Sequence, residues 1–316
     1  MKEINYFGKT FMKPFPKLTK TGAISSGGGE PSPFIFRDRF LRLECVGGSR
    51  ALIKDYFTSQ PVSAKIGADG VHFYSVYCEN DTVFVYGTKG NKVYRYASGD
   101  LQNWTESEAL EFPDNFCLFN TAVCKGDGKY MMAIEASWKG MAFGKEDPIY
   151  GVGINDYIGV PFTEFFAESY DFVHWTLLPF EDGYGKDRYV ACPDLHYCEG
   201  FYYMICLEEL PLKRYAPYMY RTKDFVTWEM GMYNPLFIAS QEDRHVKPGA
   251  NVDPEIAARN ETAIVVNNSD VGMCEYEGKT YINYVGGDQG NSWGGLVCEA
   301  IYDGPMDEYL KANFAD

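Results

Sequence analysis

Basic residues are scarce in this 316-residue sequence, and the shortage limits which partners the protein can bind. Lys and Arg together number 29 against 44 Asp and Glu, which gives a formal net charge of −15. Nucleic acids and anionic membranes attract cationic proteins, because binding releases the counterions around their phosphates. We therefore expect no nucleic acid and no membrane among its partners. The charge leaves neutral ligands such as sugars open.

Long apolar runs and paired cysteines are also missing. The first residues, Met1-Lys2-Glu3-Ile4-Asn5, lack the apolar segment of a signal peptide, and no run approaches the 18 apolar residues of a membrane span. Nine cysteines occur without one Cys-x-x-Cys pair. Free thiols in a cytoplasmic protein explain this better than a disulfide framework. A secreted protein whose leader has been removed is the alternative.

Histidine is rare as well, and common cofactor motifs are absent. The four His residues are widely spaced, which argues against a zinc site. The sequence has neither a His-Glu-x-x-His motif nor a full Gly-x-x-x-x-Gly-Lys-Ser/Thr phosphate loop. We expect no required cofactor. A calcium ion held by carboxylate and backbone oxygens stays open, although no spacing specifies it.

Aromatic residues, in contrast, are abundant. The chain has 25 Tyr and 22 Phe, a composition that favours strands over helices. Three segments, 97–104, 168–175 and 221–228, share the order Asp, apolar residue, two variable residues, Trp. Each lies between strand-like stretches. We expect a tight turn whose Asp accepts backbone hydrogen bonds, while the apolar residue and the Trp pack against the neighbouring sheet.

Hairpin signals recur five times along the chain. Each is a pair of strand-like runs around a short polar or glycine-containing turn, at 33–43, 73–86, 122–134, 195–206 and 273–284. Five such units, mostly 40 to 75 residues apart, predict an all-β fold, a five-bladed β-propeller with four-stranded antiparallel blades. No linker divides the chain, so we expect one domain over 1–316, with a C-terminal helix at about 306–313.

The Gly-Lys-Tyr hairpin at residues 128–130 and the Ser-x-Asp-Phe-x-x-Trp turn at 169–175 resemble those of the five-bladed propeller glycosidases. These are the furanosidase-type glycoside hydrolase families 43, 32 and 117, with the related mannoside phosphorylases of family 130. The resemblance extends over residues 28–305. It implies a central funnel in which the opening residue of each innermost strand points at a sugar, while the substrate differs between families.

Aligning the five hairpins on their turns predicts which residues open the funnel. They are Glu30; Asp69 or His72; Asn120; Cys192 to Asp194; and Asp270. We expect Glu30, Asp194 and Asp270 to be catalytic, because a glycosidase needs an acid to protonate the leaving oxygen and a second carboxylate. The resemblance to family 43 implies that Glu30 is the base. That family has Asp at this position, Asp in the third blade and Glu in the fourth, so the chain departs from it at Asn120 and near Asp194.

Other residues are expected to bind substrate. They are His72, Asn120, Glu135, Arg188, His245 and Trp293. Each has a structural alternative: the acids can cap turns or form ion pairs, as Asp194 with Arg188, and Trp293 can pack between blades.

Together these features predict a glycoside hydrolase that releases a terminal sugar, with a furanoside among the candidates, and that inverts the anomeric centre. One alternative is a phosphorylase of the family-130 type, for which Arg188, Arg244, His245 and Lys247 would bind phosphate. The other is a propeller that binds an oligosaccharide without cleaving it.

Overall fold

The computed structural model describes residues 4–6, 9–11, 15–26, 28–47, 49–138, 162–185, 189–211, 214–288 and 295–315. Most of these residues lie in strands. This confirms the all-β character that the aromatic composition and the hairpin signals predict.

Three antiparallel sheets follow one another along the first part of the chain. A hairpin of β1 (Ile4–Tyr6) and β2 (Lys9–Phe11) and the strand β3 (Thr19–Ser25) precede them. The sheets are β4 (Gly29–Phe36), β5 (Arg39–Val46) and β6 (Arg50–Asp55); β7 (His72–Glu79), β8 (Thr82–Lys89), β9 (Lys92–Ser98) and β10 (Thr105–Glu111); and β11 (Phe116–Gly126), β12 (Lys129–Trp138), β13 (Thr163–Ser169) and β14 (Thr176–Leu177).

Two further groups of strands are joined into one larger sheet. The first group is β15 (Val190–Cys198), β16 (Phe201–Leu210), β17 (Arg214–Thr222) and β18 (Trp228–Met230). The second is β20 (Asn267–Tyr276), β21 (Lys279–Gly287) and β22 (Gly295–Tyr302), extended by β3 and then by β19 (Val246–Asn251). A single parallel bridge, Tyr215 to Asn267, connects the groups. Because β3 pairs antiparallel with β22, a strand from early in the sequence completes the last group.

All five predicted hairpins are confirmed. They are the pairs β4–β5, β7–β8, β11–β12, β15–β16 and β20–β21. Both residues of each two-residue turn have positive φ, the geometry that matches the twist of paired strands. The turns are Arg37-Asp38, Asn80-Asp81, Asp127-Gly128, Glu199-Gly200 and Glu277-Gly278.

The repeated Asp turns also form as the sequence predicts. Asp100 Oδ1 accepts hydrogen bonds of 2.8 Å from the backbone N–H groups of Gln102 and Asn103. Asp171 and Asp224 do the same in their own turns. These turns connect the third strand of a sheet to the fourth. They stabilise the outer part of each sheet and lie away from the first strands.

Apolar side chains fill the space between consecutive sheets. Burying one large apolar side chain stabilises a fold by about 1.5–3 kcal/mol, so these interfaces hold the sheets together. Each buried cluster combines side chains of neighbouring sheets: Leu41 and Val83 belong to one, Val93 and Met132 to the next, then Met131 and Met204, Ile205 and Ile282, and Val297 and Phe40.

Two short α-helices accompany the strands in the described part of the chain. α1 (Pro254–Glu261) begins after Asp253, whose side chain accepts hydrogen bonds from the Glu255 and Ile256 amides. α2 (Met306–Ala312) lies in the segment where the sequence predicts a helix. Among the helices of the described residues, none is long and apolar enough to cross a membrane.

Candidate active site

The first strands of the five groups contact one another in sequence. β4 contacts β7, β7 contacts β11, β11 contacts β15, β15 contacts β20, and β20 contacts β4. Each strand also has a break in register near its start, where two residues bulge out of the pairing. A bulge redirects a side chain away from the regular face of the sheet.

The bulges bring four non-glycine residues into the left-handed backbone region. Glu30 of β4, Phe73 of β7, Cys192 of β15 and Asp270 of β20 have φ between 50° and 57°. In β11 the break extends over Phe119 and Asn120. Such backbone conformations are costly for residues other than glycine and concentrate at functional sites. The same local geometry thus presents equivalent side chains from neighbouring strands.

A cavity of about 480 Å³ lies among these first strands. Glu30, Asn120, Cys192, Asp194 and Asp270 are among the residues that line it. All three acids predicted to be catalytic therefore border one space, together with Asn120 from the substrate-binding set.

Glu30 is surrounded by donors and by another acid. Its Oε2 accepts a hydrogen bond of 2.6 Å from the Cys45 thiol, and the Asn120 side chain and the Tyr74 backbone also donate to it. Burial, with a further contribution from the charge of Asp270, raises the pKa of Glu30 to about 8. Glu30 therefore carries a proton at neutral pH.

Asp270 lies on β20, next to β4, and has two polar partners. The Ser269 hydroxyl donates to its Oδ2 at 2.6 Å, and the Cys192 thiol donates to it as well. Burial outweighs both hydrogen bonds, so the pKa of Asp270 lies above its usual value. The two donors favour the ionised form of this carboxyl.

Glu135, predicted to bind substrate, is 3 % exposed and lies on β12. It is not among the described residues that line the cavity. Its Oε2 accepts a hydrogen bond of 2.8 Å from the Cys192 amide. Burial, with the charges of Asp270 and Glu30, raises the pKa of Glu135 to about 8. Glu135 thus lies behind the cavity wall, close enough for the charges of both cavity acids to act on it.

Glu164 is a buried acid that the sequence analysis does not identify. It lies on β13 directly opposite Glu135 and is fully buried. Neither of its carboxyl oxygens has a hydrogen-bond partner within the structure as described. Burial and the neighbouring Glu135 raise the pKa of Glu164 well above its usual value, so the fold favours the protonated form of this acid.

Asp194 lies two residues beyond the bulged Cys192. Its Oδ2 is 2.8 Å from Nε2 of His196 and also accepts a hydrogen bond from the Met273 amide. Burial lowers the pKa of His196 and the Asp194 carboxylate raises it, with a net upward shift. Asp194 therefore belongs to an ion pair within the cavity, and its catalytic role stays a prediction.

A second cavity, of about 350 Å³, adjoins the first at Glu30. Its other lining residues come from β5, β6, their connection and the start of β7, and include Ser49, Arg50, His72 and Phe73. The predicted substrate-binding residue His72 is exposed there, with Nε2 3.2 Å from the Ser49 hydroxyl. Glu30 lies between the two spaces.

The remaining predicted residues lie elsewhere. His245 is exposed at the start of β19, where its carbonyl accepts a hydrogen bond from the amide of Ala23 on β3, and it is not among the described lining residues of either cavity. Arg188 and Trp293 lie outside the described residues.

The acids that line the cavity do not form a metal-binding cluster among the described residues. Among the described residues, only Cys198, Glu199 and Asp307 form a group of three whose ligand atoms lie within 4.8 Å of one another. Lys311 pairs with both carboxylates of that group, at 2.8 and 3.2 Å. These ion pairs account for the cluster. A calcium ion in the funnel stays an untested expectation.

Sequence reasoning missed Cys45, Phe73 and Glu164. Cys45 reaches Glu30 from the adjacent strand β5, and Glu164 reaches Glu135 from β13, so only the strand register reveals them. Phe73 was detectable, because it directly follows the candidate His72. The bulge moves the funnel-facing position by one residue.

Neither a protein-family model nor a curated protein matches the chain, but solved structures do. The α-L-arabinofuranosidase from Podospora anserina, in complex with cellotriose, shares 10 % identity over 91 % of this chain and 97 % of its own, with a TM-score of 0.61. A thermostable family-43 glycoside hydrolase shares 11 % identity over 90 % and 92 % of the two chains, with a TM-score of 0.59.

The GH32 β-fructofuranosidase from Bombyx mori shares 13 % identity with a TM-score of 0.56. The match covers 88 % of this chain and 61 % of that enzyme, so this chain spans about three-fifths of its length. At these identities the likeness establishes the fold. The chain has the propeller fold of furanosidase-type enzymes, as the sequence resemblance implies.

Proposed function

We propose that the protein is a glycoside hydrolase that releases a terminal sugar, with Glu30 and Asp270 as its acid/base pair. The observation that carries the proposal is their equivalence: both acids occupy the bulge of neighbouring first strands, and both line one cavity. Two carboxyl groups facing one sugar-sized space are what glycoside hydrolysis requires. The structural neighbours, which include an arabinofuranosidase and a fructofuranosidase, point to a furanoside.

The architecture behind this site is, on our proposal, a five-bladed propeller. Its support is the cycle of contacts from β4 through β7, β11, β15 and β20 back to β4. Pairing of β3 with β22 supplies the fourth strand of the last blade. Five bulges then point at one axis.

The proton affinities favour Glu30 as the proton donor. Burial and the charge of Asp270 raise the pKa of Glu30 to about 8, and two hydrogen-bond donors favour the ionised form of Asp270. We therefore assign the proton to Glu30 and the ionised carboxylate to Asp270. This assignment reverses the role of base that the resemblance to family 43 implies for Glu30. A protonated acid and an ionised carboxylate are then available together near neutral pH.

In the proposed reaction the glycosidic oxygen lies beside the Glu30 carboxyl. The terminal sugar occupies the larger cavity and the leaving group the smaller one. Glu30 protonates the glycosidic oxygen as the bond to the anomeric carbon breaks. Asp270 accepts a proton from a water molecule whose oxygen bonds to that carbon from the opposite face. The products are a free sugar of inverted configuration and the leaving alcohol.

The two alternatives predict different behaviour. Of the basic residues expected to bind phosphate in a phosphorylase, Arg244, His245 and Lys247 lie at the β19 edge, where Lys247 pairs with Glu299 at 2.5 Å. A binding protein without activity would hold an oligosaccharide in the same cavities and leave it intact.

A panel of 4-nitrophenyl glycosides, pyranosides and furanosides of both anomers, tests the proposal. We expect turnover of at least one furanoside, independent of phosphate, and proton NMR of the first product should show the inverted anomer. Turnover that requires phosphate, or binding without turnover on any substrate, would contradict it.

A further inference from the structure

The smaller cavity has a chemical character that differs from the rest of the protein. The chain carries a net charge of −15, yet the fixed charge among the described residues that line this space is the cation Arg50. The acid at its inner end, Glu30, keeps its proton at neutral pH because its pKa is about 8. The cavity therefore presents positive charge.

Two hydrogen bonds hold Arg50 in place and leave it further N–H donors for a ligand. Its Nη1 donates to the Ser49 carbonyl at 2.9 Å, and its Nη2 donates to Asp69 at 2.8 Å. The Asp69 side chain is 98 % exposed and that of Arg50 29 %, and an ion pair with so exposed a partner is worth little. The guanidinium has five N–H donors, so it can still donate to a carboxylate in the cavity.

Two further nitrogen-bearing side chains lie near Arg50. His72 is exposed on the cavity wall beside Ser49 and offers a ring nitrogen as a hydrogen-bond partner. Lys89 donates to the backbone carbonyl of Asp69 at 2.9 Å, so its charge is not neutralised by a carboxylate there. Arg50 and Lys89 thus place two positive charges around the single carboxylate of Asp69.

A sugar site also needs an apolar surface, and Phe73 provides one in this cavity. Its bulged backbone, with φ of 57°, places it on the cavity wall at the position equivalent to Glu30 and Asp270. Phe119 contacts its ring edge-on, with centroids 5.3 Å apart, which fixes the ring. Sugar rings pack on aromatic faces through their C–H groups.

We propose that this cavity is a binding subsite for a sugar that carries a carboxylate, a uronate, packed on Phe73 with its carboxylate on Arg50 and His72. The assignment rests on the proposed function, because the ring bound here would be the leaving group whose oxygen Glu30 protonates. Arg50 is the residue that distinguishes an acidic sugar from a neutral one, since guanidinium binds carboxylate through paired hydrogen bonds.

Binding of small glycosides tests the subsite without needing turnover. Calorimetry of the full chain would compare methyl glucuronide and methyl galacturonide with methyl glucoside and methyl galactoside, each pair differing only at C6. We expect at least one uronide to bind about tenfold more tightly than its neutral partner, because only the uronide can accept charge-assisted hydrogen bonds from Arg50. Raising the salt concentration should weaken that preference.

Three variants locate the effect. Arg50→Gln should abolish the preference, Arg50→Lys should keep part of it, and Phe73→Leu should weaken uronide and neutral sugar alike. Arg37→Gln is the matched control, because Arg37 lies in the turn at the far end of β4, in an exposed pair with Asp81. Thermal unfolding of each variant would establish that it is folded.

Equal binding of acidic and neutral sugars, binding of neither, or a preference that survives Arg50→Gln would overturn the subsite. Failure of the proposed function is a separate result, namely uronide binding without cleavage of any glycoside.

Discussion

The Cys192 amide donates a hydrogen bond of 2.8 Å to Oε2 of Glu135. This contact connects the bulge of β15 with the second strand of the preceding group, and the Cys192 thiol in turn donates to Asp270. A buried acid behind the cavity wall is thereby coupled, through one residue, to an acid that lines the cavity. Both the electrostatics and the position of the site depend on this link.

Removing the proton donor should lower the hydrolysis rate most for substrates with poor leaving groups. Glu30→Gln cannot protonate the glycosidic oxygen, so we expect a fall of about 10²–10⁴ in kcat for alkyl glycosides. The dinitrophenolate of an activated glycoside leaves without being protonated, so kcat for these substrates should fall far less. Steady-state kinetics on both substrate classes checks this, with Asp38→Asn in the β4–β5 turn as the control. An equal loss on both classes would contradict the role of Glu30.

The Cys45 thiol should set the alkaline limit of activity. Its hydrogen bond lowers the pKa of Glu30 against the effect of burial. Cys45→Ala removes that donor, so the pKa of Glu30 should rise and the alkaline limb of the kcat/KM profile should move to higher pH. Cys45→Ser keeps a donor and should leave the limb near its original position. A limb that does not move in Cys45→Ala would refute the link.

Stability should fall as pH rises, because buried acids must keep their protons in the fold. Burial raises the pKa of Glu164 well above 4.5 and that of Glu135 to about 8. The unfolded chain loses these protons first, so their contribution is fully present below about pH 4.5 and is lost as pH rises through the folded pKa. Glu164→Gln removes one such group.

We therefore expect the melting temperature of Glu164→Gln to exceed that of the wild type at pH 8, and by much less at pH 5. Differential scanning calorimetry at both pH values measures this. Glu261→Gln, at the end of α1, is the exposed control. The same increment at both pH values would mean that Glu164 is not the titrating group.

Replacing Cys192 separates its two contacts. Cys192→Ala keeps the amide that binds Glu135 but removes the thiol that donates to Asp270. Loss of that donor should raise the pKa of Asp270 and shift the acidic limb of the kcat profile to higher pH, with the melting temperature little changed. Cys192→Ser should restore the original limb. An unchanged acidic limb in the alanine variant would exclude Asp270 as the base.

The fold was predictable because its signals are local. Short segments of sequence specify two kinds of turn. One is the two-residue turn with positive φ, and the other is the turn whose Asp accepts hydrogen bonds from amides two and three residues ahead; both form as the sequence indicates. The position of Glu30 and Asp270 at the cavity was predictable for the same reason, since each precedes its own hairpin, while their catalytic role stays a prediction.

The rest of the site depends on register and on neighbouring strands. Aligning the hairpins comes within one residue of Phe73, but only the bulge in β7 shows that Phe73, and not His72, lies at the position equivalent to Glu30 and Asp270. The partners Cys45 and Glu164 come from other strands, at positions fixed only by pairing. His245 was expected to bind substrate because it lies on a long connection between hairpins, but that connection places it at the β19 edge.

The central claim is that Glu30 and Asp270 act together on a glycosidic bond. Its most direct test is the hydrolysis rate of the best 4-nitrophenyl furanoside by the wild type and by Asp270→Asn, each assayed without phosphate. We predict measurable turnover by the wild type and a loss of about 10²-fold or more in the variant, whose amide cannot accept a proton from water. Equal rates for the two proteins, or no turnover by the wild type on any glycoside of the panel, would contradict the account.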